Sequence, residues 1–235
     1  MNIRILELKE GAKQARGLTV VIDVFRAMTV EAYVMQNGAK DLLPMGDLDA
    51  TYAYCEAHPG TILMGERGGK CCPGFDYGNS PSAVEHVDFT GKTVVHNTSA
   101  GTQGVTLAEH ADEILLGSLV TAKAIARYIM KSSAEEVSLV CMGLGGLEPT
   151  REDTLCAEYI KSIIEGDPID LAPGIAECKA TSGAKFFDPL RQEVFPERDF
   201  HLSVEADRFD FVLRVEKGAD GLLHTVRVNE GDANS

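Results

Sequence analysis

The chain has 235 residues, with 22 Lys and Arg against 36 Asp and Glu and a formal net charge of −14. That length can bury a sizeable core, while the acidic excess repels phosphate backbones and anionic membrane surfaces, so neither nucleic acid nor membrane is an expected partner. No apolar run is long enough for a membrane-spanning helix, and Met1-Asn2-Ile3-Arg4 does not begin a signal peptide, which points to a cytoplasmic protein.

Residues 3–8 alternate apolar and polar side chains, the pattern of a half-buried strand. Residues 18–24 are nearly continuous in β-branched apolar residues, as in a central strand covered on both faces. Helical spacing over 28–36 stops at Asn37-Gly38, and a strand at 42–43, a helix over 48–57 and a strand over 61–64 follow. Next comes a long Gly-rich segment, 65–81, carrying Glu66, Arg67, Lys70, Asp76 and Asn79. Phe75 and Tyr77 give it apolar anchors, so it is expected to be ordered, and a long ordered loop is usually functional. It leads into a helix with Ser80 as N-cap and Pro81 at the first helical position. A strand over 93–96, helix over 104–110, strand over 113–116, helix over 119–130, strand over 137–142 and helix over 151–164 continue the rhythm. Such alternation predicts an α/β fold, one domain over 1–235, with a mixed, largely parallel sheet and helices on both faces. The last third is less regular: short helices over 169–179 and 183–190, a β-hairpin over 209–215 and 223–228, and a frayed tail over 229–235.

Ligands of open α/β sheets bind outside the carboxyl ends of the strands. Asp23-Val24-Phe25-Arg26 ends one strand, Glu66-Arg67 another, and His96-Asn97-Thr98-Ser99-Ala100-Gly101-Thr102 a third. The last leads into a helix, so its backbone N–H groups and the Ser99 and Thr102 hydroxyls suit an anion, although ordinary N-capping accounts for the same hydroxyls. Gly143-Leu144-Gly145-Gly146 lacks the G-x-G-x-x-G pattern of dinucleotide sites. Thr150 and Asp153 have capping-box spacing, which would justify Asp153 without a metal. The six cysteines, at 55, 71, 72, 141, 156 and 178, form no C-x-x-C and none has Arg six residues on, which excludes cysteine-phosphatase chemistry. Asp47-Leu48-Asp49-Ala50-Thr51 matches the D-x-D-x-T of haloacid-dehalogenase phosphatases, but Pro44-Met45-Gly46 separates it from a very short apolar run. Asp47 reads better as a helix N-cap.

Taken together, these stretches resemble the magnesium-dependent 2-phosphosulfolactate phosphatases associated with coenzyme M biosynthesis. The matching pieces are Asp23-Val24-Phe25-Arg26-Ala27, Gly65-Glu66 with Gly74-Phe75-Asp76-Tyr77-Gly78-Asn79-Ser80-Pro81, Thr98-Ser99-Ala100-Gly101-Thr102, Gly117-Ser118-Leu119 and Glu152-Asp153-Thr154. The segment ending in Pro81 is the specific one, and the resemblance runs over roughly residues 20–160. It implies a three-layer α/β/α fold, Mg2+ dependence, and hydrolysis of the phosphate ester of a small sulfonated or carboxylated hydroxy acid. An acidic protein holds such an anion only through concentrated positive charge, for which Mg2+, Arg26, Arg67 and Lys70 are candidates. Mg2+ is usually bound by one or two carboxylates plus waters and substrate oxygens, and Asp23, Glu66 and Asp153 are the expected ligands. Asp23, Glu66 and Asp76 are the expected catalytic residues, and Arg26, Arg67, Asn79, Ser80, Ser99, Gly101 and Thr102 the expected substrate contacts. Attack by water is favoured, with an aspartyl-phosphate on Asp23 as the alternative. Two readings from other classes stand beside this one: a non-catalytic binder of anionic metabolites, and a redox-regulated protein organised around Cys71-Cys72. Assembly as a homo-oligomer is compatible with all three.

Overall fold

The computed structural model describes residues 1–229, and the expected alternation is present in it. The first part comprises β1 (Asn2–Glu7), α1 (Leu8–Gln14), β2 (Gly17–Ile22), α2 (Ala27–Gln36), β3 (Asp41–Pro44), α3 (Leu48–Ala57), β4 (Ile62–Arg67) and β5 (Lys70–Cys71). Then follow α4 (Pro81–Val84), β6 (Thr93–Asn97), α5 (Gly101–Leu107), β7 (Ala111–Gly117), α6 (Ala122–Lys131), β8 (Glu136–Cys141) and α7 (Arg151–Glu165). The last part holds α8 (Leu171–Ala180), a 3-10 turn at Ala184–Phe187, α9 (Glu197–Ser203), β9 (Phe211–Lys217) and β10 (Leu223–Asn229). Asn229, the first residue of the expected frayed tail, closes β10, and the rest of that tail lies outside the described residues. No described helix is long and apolar enough to cross a membrane.

Local chemistry explains most of the boundaries. Asp47 caps α3, its side chain accepting from the Ala50 N–H at 2.7 Å, so this aspartate is committed to the helix. The segment after β4 contains a tight hairpin: Glu66 pairs with Cys71 and Arg67 with Lys70 around Gly68-Gly69, both at positive φ. A two-residue turn with two positive φ values is the geometry for which Gly-Gly is suited. Helix α5 starts at Gly101, three residues before its expected start, and its glycines sit where no side chain fits. A Cβ on Gly104 would overlap Met142, and one on Gly101 would crowd Ala27, Met28 and the Asp23 carboxylate. Two expected caps are absent. Ser80 makes no capping bond although Pro81 does open α4, and Thr150 makes none at α7.

The strands form one sheet in the order β1-β8-β2-β7-β9-β10-β3-β6-β4-β5. β1, β8, β2 and β7 are mutually parallel, as are β3, β6 and β4. The antiparallel hairpin β9–β10 joins these halves, so the two formally run in opposite directions. Six strand-to-strand steps separate β2 from β4. At roughly 20–25° of twist per step, they rotate one strand by roughly 120–150° relative to the other. The twist offsets the reversal, and the sheet curls round a core shared by both halves, so that the carboxyl ends of β2 and β4 reach one cavity.

Helices cover both faces, giving a three-layer arrangement. Val21, Leu116 and Val140 from one half and Leu42, Met64 and Val94 from the other pack on a shared face with α2 and α5. The opposite face carries α6 and α7 against Val20, Leu115 and Leu139. It also carries α3 against Leu43, Leu63 and Val95.

Candidate active site

A cavity of about 550 Å³ opens where β2, β4, β6 and β8 end. Asp23 enters it from the residue after β2, Glu66 from the end of β4 and Ser99 from the turn before α5. The Gly143–Glu148 loop after β8 and the first turn of α7, with Glu152 and Asp153, complete its acidic floor. The opposite wall comes from the C-terminal third: Ser182, Lys185, Arg191 and Phe195.

Four carboxylates on this floor are buried: Asp23, Glu66, Glu152 and Asp153. Each is held by local donors. Asp153 accepts from the Val24 N–H at 2.8 Å and the Gly143 N–H at 2.7 Å, which ties the α7 first turn to the ends of β2 and β8. That pairing, rather than a capping box, accounts for its position. Glu66 accepts from the Ser99 N–H at 2.8 Å and the Gly69 N–H at 2.6 Å, so the Gly-Gly turn helps to aim it. Asp23 accepts from the Ala27 N–H at 3.2 Å through Oδ1, and Ser182 donates to Glu152.

Among the described residues no arginine pairs directly with this floor, and the electrostatics show the cost. Burial pushes the Asp23 carboxyl up to about 6; the Ala27 N–H opposes the rise, and Glu66 and Glu152 add to it. Asp153 is raised well above the ordinary carboxylate range by burial, then by Glu152 and Asp23, against the pull of its two N–H donors. Burial pushes Lys185 down, while Glu152 draws it back up. Among the described residues, no three His, Cys, Asp or Glu side chains stand close enough to hold a metal ion by themselves. The expected trio Asp23, Glu66 and Asp153 therefore lines one cavity without closing into a cage.

Other expected site residues divide. Asn79 lines the cavity with its Oδ1 buried and unpartnered, and Ser99 lines it beside Glu66. Arg26 lines it too, but its guanidinium is committed elsewhere. It donates to Asp199 at 2.7 Å, to the Val194 carbonyl at 2.9 Å and to the Gly69 carbonyl at 3.3 Å. Arg67 is not in the cavity: it follows Glu66 in a strand, so its side chain leaves by the other face and donates to Asn97 and its neighbour's carbonyl. Asp76 accepts from the Leu63 N–H at 2.8 Å and closes the long loop on β4, outside the cavity. Ser80 donates to Asp199 at 2.8 Å, and Thr102 is fully buried and bonded to Thr98. Gly101 serves by its missing side chain beside Asp23.

Glu152, Lys185, Arg191 and Phe195 were not anticipated. Glu152 had a signal, since a second acid beside Asp153 in a helix's first turn is drawn into the same site. Lys185 and Arg191 had none, because one lies in a short 3-10 turn and the other just beyond it, far in sequence from the strand ends. All six cysteines are free thiols. Cys71 is exposed and Cys72 buried, and both thiols are raised, chiefly by burial, which disfavours thiolate chemistry at the pair.

Fold and cavity together are those of an α/β protein with an acidic cavity at its strand ends. Residues 4–217 match the 2-phosphosulpholactate phosphatase family, and the chain belongs to that family of phosphoric monoester hydrolases. A relative from Bacillus subtilis (strain 168), named probable 2-phosphosulfolactate phosphatase, is 32% identical over 96% of this chain and 98% of its own. A protein of the same name from Caldicellulosiruptor saccharolyticus is 38% identical over 63% of each chain. One from Deinococcus radiodurans is 37% identical over 62% of each.

Proposed function

We propose that this cavity hydrolyses the phosphate ester of a small sulfonated or carboxylated hydroxy acid, 2-phosphosulfolactate, to sulfolactate and phosphate with Mg2+ as cofactor. The carrying observation is the floor of four buried carboxylates, where burial first and mutual repulsion second raise Asp23 and Asp153. An anionic ester meets such a floor only with a cation between them. The residues fit Mg2+: they are oxygen donors, and this ion needs one or two carboxylates with water and substrate supplying the rest. Asp23, Glu66 and Asp153 are the residues that would hold it, the last two aimed by paired backbone donors. Bound there, the metal would neutralise charge on the phosphoryl oxygens.

The chain's own groups supply the rest. Asp23 Oδ2 takes no hydrogen bond among the described residues, so this oxygen is available to orient an attacking water beside the metal. The same free oxygen favours the second reading, direct attack by Asp23 on phosphorus. Borohydride trapping during turnover separates them, since only an acyl phosphate is reduced; we expect no trapped species. The function itself is tested by phosphate release from a panel of phosphorylated hydroxy acids. EDTA should abolish release and Mg2+ restore it, and full activity in rigorously metal-free buffer would sink the proposal.

A further inference from the structure

Arg26 and Arg67, the cations that the sequence offers for substrate, are both committed inside the protein. Lys185 is not. It lines the cavity half-buried, with Nζ 5.4 Å from the ring centroids of both Phe186 and Phe195. It makes no hydrogen bond or ion pair among the described residues. Every carboxylate on the facing floor already accepts from another donor. A cation partly withdrawn from water with only two ring faces as partners is incompletely compensated, and an anion entering the cavity would complete it.

Two neighbours on the same wall also have polar groups without partners. Arg191 is exposed, its guanidinium carbon lies 4.6 Å from the Phe195 ring centroid, and it has no acidic partner among the described residues. A guanidinium held against a ring face keeps N–H groups available for an anion. Asn79 is only 6% exposed, and its side-chain oxygen has no partner. A half-turn of that amide presents its N–H group instead, so it can serve an anion as a donor.

We infer that Lys185, with Arg191 and Asn79, forms the subsite for the second, non-reacting anionic group of the substrate, a sulfonate or carboxylate. This rests on the proposed phosphatase reading and adds an orientation to it. The phosphate end lies toward the carboxylate floor and the anionic tail lies against the wall built by the C-terminal third. Lys185 is then a specificity-determining residue, and a phosphate monoester without an acidic tail gains nothing from it.

The test compares kcat/KM for 2-phosphosulfolactate with kcat/KM for phenyl phosphate in wild type, Lys185→Met and Arg191→Gln. Loss of a charge-assisted hydrogen bond corresponds to roughly 10- to 100-fold, so the ratio should fall by that factor in Lys185→Met. It should fall less in Arg191→Gln, and Lys185→Arg should recover part of it. A fall shared equally by both substrates would assign Lys185 to the phosphoryl group and overturn the inference, as would an unchanged ratio. Should Lys185→Met fail to fold, Lys185→Gln and Arg191→Gln read the same ratio. Calorimetric binding of sulfolactate provides a second readout without turnover and should weaken in the Lys185 variants. Lysine-dependent sulfolactate binding without hydrolysis of either ester would sink the phosphatase reading and spare the subsite. Hydrolysis with lysine-independent binding would do the reverse.

Discussion

Asp23 shows how one residue carries both a cost and a function. Its folded pKa lies near 6 against an ordinary 3.8, so the folded state favours the protonated form. The linkage follows: the contribution to stability is fully present below the ordinary value and is lost as pH rises through about 6. A shift of this size corresponds to at most roughly 3 kcal/mol. In metal-free buffer, Asp23→Asn should therefore melt higher than wild type at about pH 8, with the gain vanishing toward about pH 4. Calorimetric melts at both pH values check this, and an equal gain at both would show that the Asp23 charge is not the destabilising term. Turnover should be lost in the same variant. Asp23, Glu66, Asp153, Asn79 and Ser99 were legible in the sequence because each stands at or beside the end of a readable strand or helix. Arg26 and Arg67 were misjudged because the sequence displays a charge but not its partner, and Asp199 lies 173 residues from Arg26.

Among the elements, α9 contributes most beyond its length. It has seven residues, too few for a periodic apolar stripe to be read, and α1, equally short, escaped notice for the same reason. Yet α9 supplies Asp199, fully buried, which accepts from Arg26 at 2.7 Å, from the Ser80 hydroxyl at 2.8 Å, and from the Ser82 N–H at 3.0 Å and hydroxyl at 2.6 Å. The aspartate thereby binds the end of the long loop to the turn after β2, and the Ser80 hydroxyl that might have capped α4 is spent on it. Removing one partner of a buried ion pair typically costs about 3–5 kcal/mol, since the other charge is left uncompensated. Asp199→Ala should lower the melting temperature by on the order of 10 °C. The double variant Arg26→Met with Asp199→Leu should recover part of that loss. A single variant that melts like wild type would show that Arg26 finds another partner. Every strand but the two-residue β5 was readable from its apolar pattern; the insertion of the β9–β10 hairpin between two parallel halves was not, because strand order is set by contacts distant in sequence.

At the scale of the whole molecule, the twist that unites the strand ends also gathers acids from β2, β4 and α7 into one cavity, inside a protein whose net charge is already −14. A polyanionic substrate must therefore approach against the long-range field and is held only by local cations. These two forces respond differently to salt. The long-range repulsion acts over many ångströms and is screened when the Debye length shortens from about 30 Å near 10 mM salt to about 10 Å near 100 mM. Contacts at Lys185 and Arg191 act at short range, with Lys185 partly withdrawn from water, and are screened less. At fixed free Mg2+, raising an inert monovalent salt over that range should therefore increase kcat/KM for the proposed substrate, by roughly 2- to 3-fold. For an uncharged-tail ester such as phenyl phosphate the increase should be smaller, because less charge is repelled. Steady-state rates at substrate concentrations well below KM measure this directly. A steady fall with salt would mean that the cations of the cavity mouth govern approach despite the acidic surface, and that the field of this protein is attractive where the substrate enters.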